Sequence, residues 1–132
     1  MARIICTQKT FSFRYDATVD NPGTVPGQSA FIGIFIPGNA IVVYGFAKVI
    51  TSFAVDSGNP TISVGTSGSP GSQAFVAQTN HASWTAGAIL EGVDLIRNMV
   101  EVPARQVIVR ISAGVLSAGV IVYFGKYIEI YE

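Results

Sequence analysis

Charge is what this sequence has least of. Lys, Arg, Asp and Glu make up 12% of its 132 residues, about half the share found in ordinary soluble domains. From Ser57 to Leu90 there is no charged residue at all, only one histidine. The eight basic residues, Arg3, Lys9, Arg14, Lys48, Arg97, Arg105, Arg110 and Lys126, are interleaved with eight acids. No stripe of cations is left to neutralise phosphates, so no nucleic-acid partner is expected. The formal net charge is zero. Monomers ordinarily keep apart through interspersed surface charge and a net charge away from zero. A surface with neither suits a molecule largely covered by copies of itself or by a larger assembly.

Cysteine and histidine are nearly absent too. Cys6 is the only cysteine, which rules out an intrachain disulfide. With His81 as the only histidine, the common tetrahedral zinc sites cannot be assembled within one chain. One His81 per subunit around a threefold axis is the remaining arrangement, and it is not expected. Long uninterrupted hydrophobic runs are also missing. The apolar stretch in "MARIICTQKTF" is too short for a secretory leader. "AFIGIFIPGNAIVVYGFA", Ala30 to Ala47, has the length of a membrane span, but "PGN" at Pro37–Asn39 divides it into two strands and a turn. No membrane association is expected.

What the chain does have is β punctuation. Its 14 glycines and 6 prolines cluster in "DNPGTVPGQ" (20–28), "PGN" (37–39), "DSGNP" (56–60) and "TSGSPGS" (66–72). Between them lie short runs rich in Val, Ile, Phe, Tyr and Thr, which fit a pleated surface. Strands are predicted at Ile4–Tyr15, Ser29–Ile36, Ala40–Ala54 with a bulge or bend at Gly45, Thr61–Thr66, Gln73–Gln78, Arg105–Ala113 and Val120–Tyr131. Gly87–Leu90 is a further strand or a turn of helix. In the first, Phe11, Phe13 and Tyr15 share a face opposite Ser12 and Arg14. Arg105–Ala113 sets Val107, Val109 and Ile111 together, and Val120–Tyr131 separates Val120, Val122, Phe124, Ile128 and Ile130 from Ile121, Tyr123, Tyr127, Glu129 and Tyr131. "GVLSAG" between these two reads as a hairpin connection, with Gly114 and Gly119 free to take positive φ. Only Ala88–Val102 has any helical character, limited by Gly92 and Pro103. "ISVGTSG" and "ISAGVLSAG" echo one another as two strands ending in similar turns.

About eight short strands with irregular connections make an all-β chain: an antiparallel β-sandwich, jelly-roll-like. Residues 1–132 are read as one domain. At this size a compact monomer exposes about 6,700 of the roughly 20,000 Å² of its unfolded chain, enough burial for an unaided core.

Chemistry is thin. His81 with Ser83 and Asp56 or Asp94 supplies the residue types of a hydrolase triad, but there is no nucleophile elbow. "GTSG" at Gly65–Gly68 is one residue short of one, and a loop histidine bonded to its neighbours is the simpler reading. Asp56, Ser57 and Asn59, or Asp20 and Asn21, lack the acidic density of a calcium loop and read as Asx turns. The acid pairs Glu91/Asp94 and Glu129/Glu132 read as solvating charges. "GTSGSPGS" lacks the lysine of a phosphate-binding loop. Trp84, Tyr123, Tyr127 and Tyr131 are the residues with which a sugar-binding surface would be built, against the alternative of core or subunit contact. No catalytic, metal or cofactor-binding residue is expected, and the chain is read as a non-enzyme.

"IPGNAIVVYGFAKVITSF", "TISVGTSGSPGSQAFVAQ" and "RQVIVRISAGVLSAGVIVYFGKYIE", spread over Gln28–Tyr131, resemble small β-rich virion proteins of tailed bacteriophages. The resemblance implies a capsid decoration (cement) protein, or a head-fibre or tail-associated module. It also implies a homo-oligomer, with trimers common, packed on major capsid protein or another virion protein, made in the host cytoplasm and found in the virion. It carries no functional residues. The uncharged Ser57–Leu90 is then either a contact region anchored by Phe75 and Trp84, or buried strands with a neutral loop. A carbohydrate-binding or fibre-associated β-sandwich module is the alternative function, and a small hydrolase using His81 ranks third.

Overall fold

The computed structural model describes residues 5–20, 29–38, 40–67, 73, 75–91 and 104–131. Six antiparallel strands run in chain order: β1 (Ile5–Asp16), β2 (Ser29–Ile36), β3 (Ile41–Thr66), β4 (Val76–Asn80), β5 (Ile89–Glu91) and β6 (Arg105–Tyr131). A 3-10 turn, His81–Ser83, follows β4.

β3 and β6 are unusually long, 26 and 27 residues. Straight, each would span about 85 Å, whereas a chain of this size packs to a radius of gyration of about 14 Å. Both must therefore bend. Their mutual ladder runs from Ile41↔Ile128 to Thr66↔Val107, with register shifts crowded between Val49 and Thr61. Extra residues on one strand turn it and raise its twist. At this waist Gly58 lies opposite Gly114. A Cβ on Gly58 would meet the Ala113 carbonyl oxygen at 2.7 Å, and one on Gly114 the Ser57 carbonyl oxygen at 2.6 Å. Glycine on both sides lets the two backbones bend together.

The waist divides the sheet into two layers of four strand segments. In one, the order is β1, the second half of β6, the first half of β3, β5. In the other it is β2, the first half of β6, the second half of β3, β4. With eight segments counted in chain order the layers read 1-8-3-6 and 2-7-4-5, the jelly-roll order. The predicted eight strands thus become six, because two of them each serve both layers. "GVLSAG" is not a hairpin: Gly114–Ala118 pairs with Ala54–Gly58 across the waist, and Leu116 is buried. "DSGNP" likewise lies inside β3, with Gly58 at φ +74°, rather than forming an Asx turn between strands. The repeated Ile-Ser-X-Gly segments meet directly, Ile62 opposite Ile111.

The layers face each other across one apolar cluster. Tyr123 of β6 is its hub. It stacks on Phe13 and Phe11 of β1, at 5.4 and 5.8 Å between ring centres, and on Phe75, which precedes β4 in the other layer, at 6.0 Å. A second glycine pair makes room for these rings. Gly45 and Gly125 are opposite each other; a Cβ on Gly125 would strike the Phe11 ring at 2.5 Å, and one on Gly45 would strike the Tyr123 phenol. Phe11, Phe13 and Tyr15 point inward as their alternation predicts, as do Val107, Val109 and Ile111. The exposed surface, 6661 Å², is that of a compact chain of this length.

The slot at Gly45 generates a testable coupling. Gly45→Ala should destabilise by about 1–3 kcal/mol through overpacking. Tyr123→Phe alone should cost little, because the buried Tyr123 hydroxyl has no hydrogen-bond partner to lose. Combined, the two should be less damaging than their sum, a non-additivity of at least about 0.5 kcal/mol in urea denaturation.

Candidate functional site

The residues singled out for chemistry do not converge. His81 is half-buried in its 3-10 turn, where its carbonyl accepts from Trp84 N–H and the Asn80 side chain caps the turn through Ala82 N–H. Among the described residues its ring bonds neither Ser83 nor Asp56, and Asp94 lies outside them. No group of three His, Cys, Asp or Glu side chains suited to a metal occurs among the described residues. Cys6 is exposed. Asp16 and Asp20 form a tight turn: Asp16 Oδ1 accepts from Thr18 N–H and Oγ1–H, and Asp20 Oδ2 accepts from Asp16 N–H. The Thr18 bonds hold the Asp16 carboxyl below the usual range.

The uncharged stretch supplies core as well as surface. Phe75 and Trp84 are completely buried, which removes them as anchors for a partner. Trp84 packs on Phe53 at 5.6 Å and donates its Nε1–H to the Thr79 carbonyl at 3.3 Å. With Trp84 and Tyr123 inside, the sugar-stacking surface loses two of its four aromatics; the Tyr131 side chain lies outside the described residues. Ile62, Val64 and Val76 fill the core beside Phe75. Outside, neutral side chains satisfy one another: Gln78 donates to Thr61 Oγ1 at 2.7 Å, and Asn80 to Asn59 Oδ1 at 2.9 Å. Amide and hydroxyl pairs here replace ionic solvation. Glu129 is not a solvating acid either; it is buried and paired with Lys9 at 3.3 Å. Of the helical segment expected at 88–102, Ile89–Glu91 is strand β5, and the rest lies outside the described residues, as does most of "GTSGSPGS".

Most of the exposed apolar surface lies on the outer face of the β1–β6–β3–β5 layer, to which Ile89 of the uncharged stretch contributes. Register sets its rows: Arg14, Val122, Lys48 and Ile89; then Ser12, Phe124, Phe46 and Glu91; then Thr10, Lys126 and Tyr44; then Gln8, Ile128 and Ile41. Tyr44, Phe46 and Phe124 form a chain of edge and tilted ring contacts, each 5.9 Å between centres. Ile89, Ile50, Tyr44 and Val122 are 58, 50, 44 and 38% exposed. Lys48 and Lys126 stand within this field, with no acidic partner within ion-pair distance among the described residues. The other layer is more mixed: Ser63 and Ile108 are buried, Thr61 and Ser112 are polar, and Phe35 of β2 stands 59% exposed. An apolar aromatic field on the two central strands, carrying lysines, has the composition that marks interaction surfaces in general. Sequence reasoning missed this face, although the signal was there: "YGFAKVI" is apolar on both faces of one strand, which marks a sheet covered on both sides.

No protein-family model matches the chain, and no curated protein matches it. Solved structures do share its fold. A chain of the capsid of Ralstonia phage GP4 is 22% identical, over 94% of this chain and 86% of that one, with a TM-score of 0.64. One from the acid-stable capsid of Helicobacter pylori bacteriophage KHP30 is 11% identical, over 98% and 99%, with a TM-score of 0.60. One from the capsid of cyanophage Pam1 is 15% identical, over 96% and 84%, with a TM-score of 0.55. The resemblance to phage virion proteins read from the strand and turn segments is thus met at the level of the fold.

Burial raises the phenol pKa of Tyr123 well above the usual range, and that of Tyr15 too, where the Asp20 and Asp16 charges add to it. The folded state thus holds these protons more tightly than the unfolded chain, whose tyrosines ionise near pH ~10. The resulting stability is full below that pH and is lost as pH rises above it. Phenolate absorbance of Tyr15 and Tyr123 should therefore appear only together with unfolding; titration of all five tyrosines near pH ~10 with the fold intact would contradict this assignment.

Proposed function

We propose that this chain is a non-enzymatic structural component of a phage virion, a decoration or cement protein. It self-associates as a homo-oligomer, a trimer by our reading, and stabilises the head by packing on major capsid protein or another virion protein. The observation that carries the reading is the exposed aromatic face on β3 and β6, on a fold shared by chains of three phage capsids. Such a face is costly to leave in water and is expected to be covered in the working assembly.

Composition supports the same reading. A particle component hidden against neighbours has little need of ionic solvation, and 12% charge with zero net charge suits it. The scattered cations favour a protein partner over nucleic acid. Residues 1–132 act in this reading as one β-sandwich unit. The glycan-binding alternative loses Trp84 and Tyr123 to the core.

Density-gradient purification of the phage that encodes the chain, followed by quantitative mass spectrometry, tests the proposal. The chain should travel with particles at a fixed ratio to the major capsid protein. Particles lacking it should release their genome at a lower temperature than complete ones. Recovery only in the particle-free lysate would refute the assignment.

A further inference from the structure

Two surfaces of this chain are complementary to each other and cannot meet within one molecule. The first is the aromatic face with Lys48 and Lys126 on its central strands. The second is the turn after β1. There Val19 is 72% exposed, the most exposed of the large hydrophobics among the described residues, and it stands beside Asp20 and the Asp16 carboxylate. That turn is rigid for its size. Besides the side-chain bonds to Asp16 and Asp20, Val19 and Asp20 N–H both donate to the Asp16 carbonyl, at 3.1 and 2.8 Å. Ala17 N–H donates to the Gly119 carbonyl at 2.9 Å, tying the turn to the end of the layer. The result is a fixed knob with an apolar tip and two carboxylates, of which Asp16 is already paired with Arg14 at 3.8 Å and Asp20 has no cation within ion-pair distance among the described residues.

We infer that the Asp16–Asp20 knob of one copy docks on the Tyr44–Phe46–Phe124 face of the next, with Val19 on the rings and the Asp20 carboxylate toward Lys48 and Lys126. This deepens the proposed reading, since it rests on self-association and names the surfaces. The knob follows the row of Asp16 and Val120, four residues along the strands from the row of Ser12 and Phe124. That separation is about 13 Å, so the chain's own knob cannot reach the centre of its own face. An isologous pairing of two aromatic faces would set Lys48 and Lys126 of both copies against one another with Glu91 as the facing acid. Knob into face instead joins opposite charges and apolar groups. Such a contact uses two different patches, so it closes into a ring when the rotation between copies permits.

Light scattering coupled to size exclusion at micromolar concentration tests the contact. Wild-type chain should be a discrete oligomer. Lys48→Glu with Lys126→Glu damages the face, and Val19→Lys damages the knob. Lys48 and Val19 are exposed and Lys126 half-buried, and both sets should leave circular dichroism and thermal melting unchanged. Each should weaken assembly at least about tenfold, as reversed charges at a contact do. If charge-reversed variants misfold, Lys48→Gln and Val19→Ser report the same contact with smaller losses. A monomeric wild type, or oligomers indifferent to both sets of changes, would overturn the inference. An oligomer indifferent to both sets leaves the virion assignment standing, whereas absence from purified particles removes that assignment and not this contact.

Discussion

Everything in this molecule hangs on the β3·β6 ladder. Two strands of 26 and 27 residues supply the central pair of both layers, so each layer is built by adding one short strand to each side of a ladder already present. The ladder works only because it bends. Straight, it would leave two half-covered sheets; bent at the Gly58–Gly114 waist, it brings Phe75 of one layer onto Tyr123 of the other. Glycine is used here for close approach, in two facing pairs along the same ladder. One pair lets the backbones turn. The other, Gly45 and Gly125, opens the slot that seats the Phe11 and Tyr123 rings.

This construction explains the scarcity of charge. Inside, the layers interlock through aromatics and β-branched residues. Outside, the β3–β4 region is finished with amides and hydroxyls that bond each other, such as Gln78 with Thr61. That leaves the outer face of the other layer as the place where apolar surface and unpaired lysines coincide. A sheet apolar on both sides is normally covered on both, and in this chain the described residues cover only one side of that layer. The proposed function is therefore a proposal about covering: in that reading the cover is another polypeptide.

Much of the fold was legible in the residues. β2 falls where the run from Ser29 to Ile36 places it, and the inward set Phe11, Phe13, Tyr15 follows from alternation alone. The waist was not legible, because glycine-rich segments such as "DSGNP" and "GVLSAG" look the same whether they reverse a chain or bend it. Only the facing partner decides, and partners lie more than fifty residues away in sequence. The same gap left the contact region open. Absence of charge from Ser57 to Leu90 fitted either an interface or internal strands, and Trp84 and Phe75 proved to be core. The informative signal was local: Tyr44, Phe46 and Ile50 on the opposite side of a strand whose other face holds Ala47 and Val49.

Lysine reactivity tests the central claim most directly, that the outer face of the β1–β6–β3–β5 layer is covered when the protein is at work. The chain has three lysines, Lys9, Lys48 and Lys126, of which Lys9 lies off this face, paired with Glu129. Brief acetylation of purified particles and of dilute dissociated chain, read by mass spectrometry, compares the three within one molecule. The account predicts that Lys48 and Lys126 react at least about tenfold more slowly in the particle while Lys9 changes less. Equal labelling of Lys48 and Lys126 in both states would contradict it.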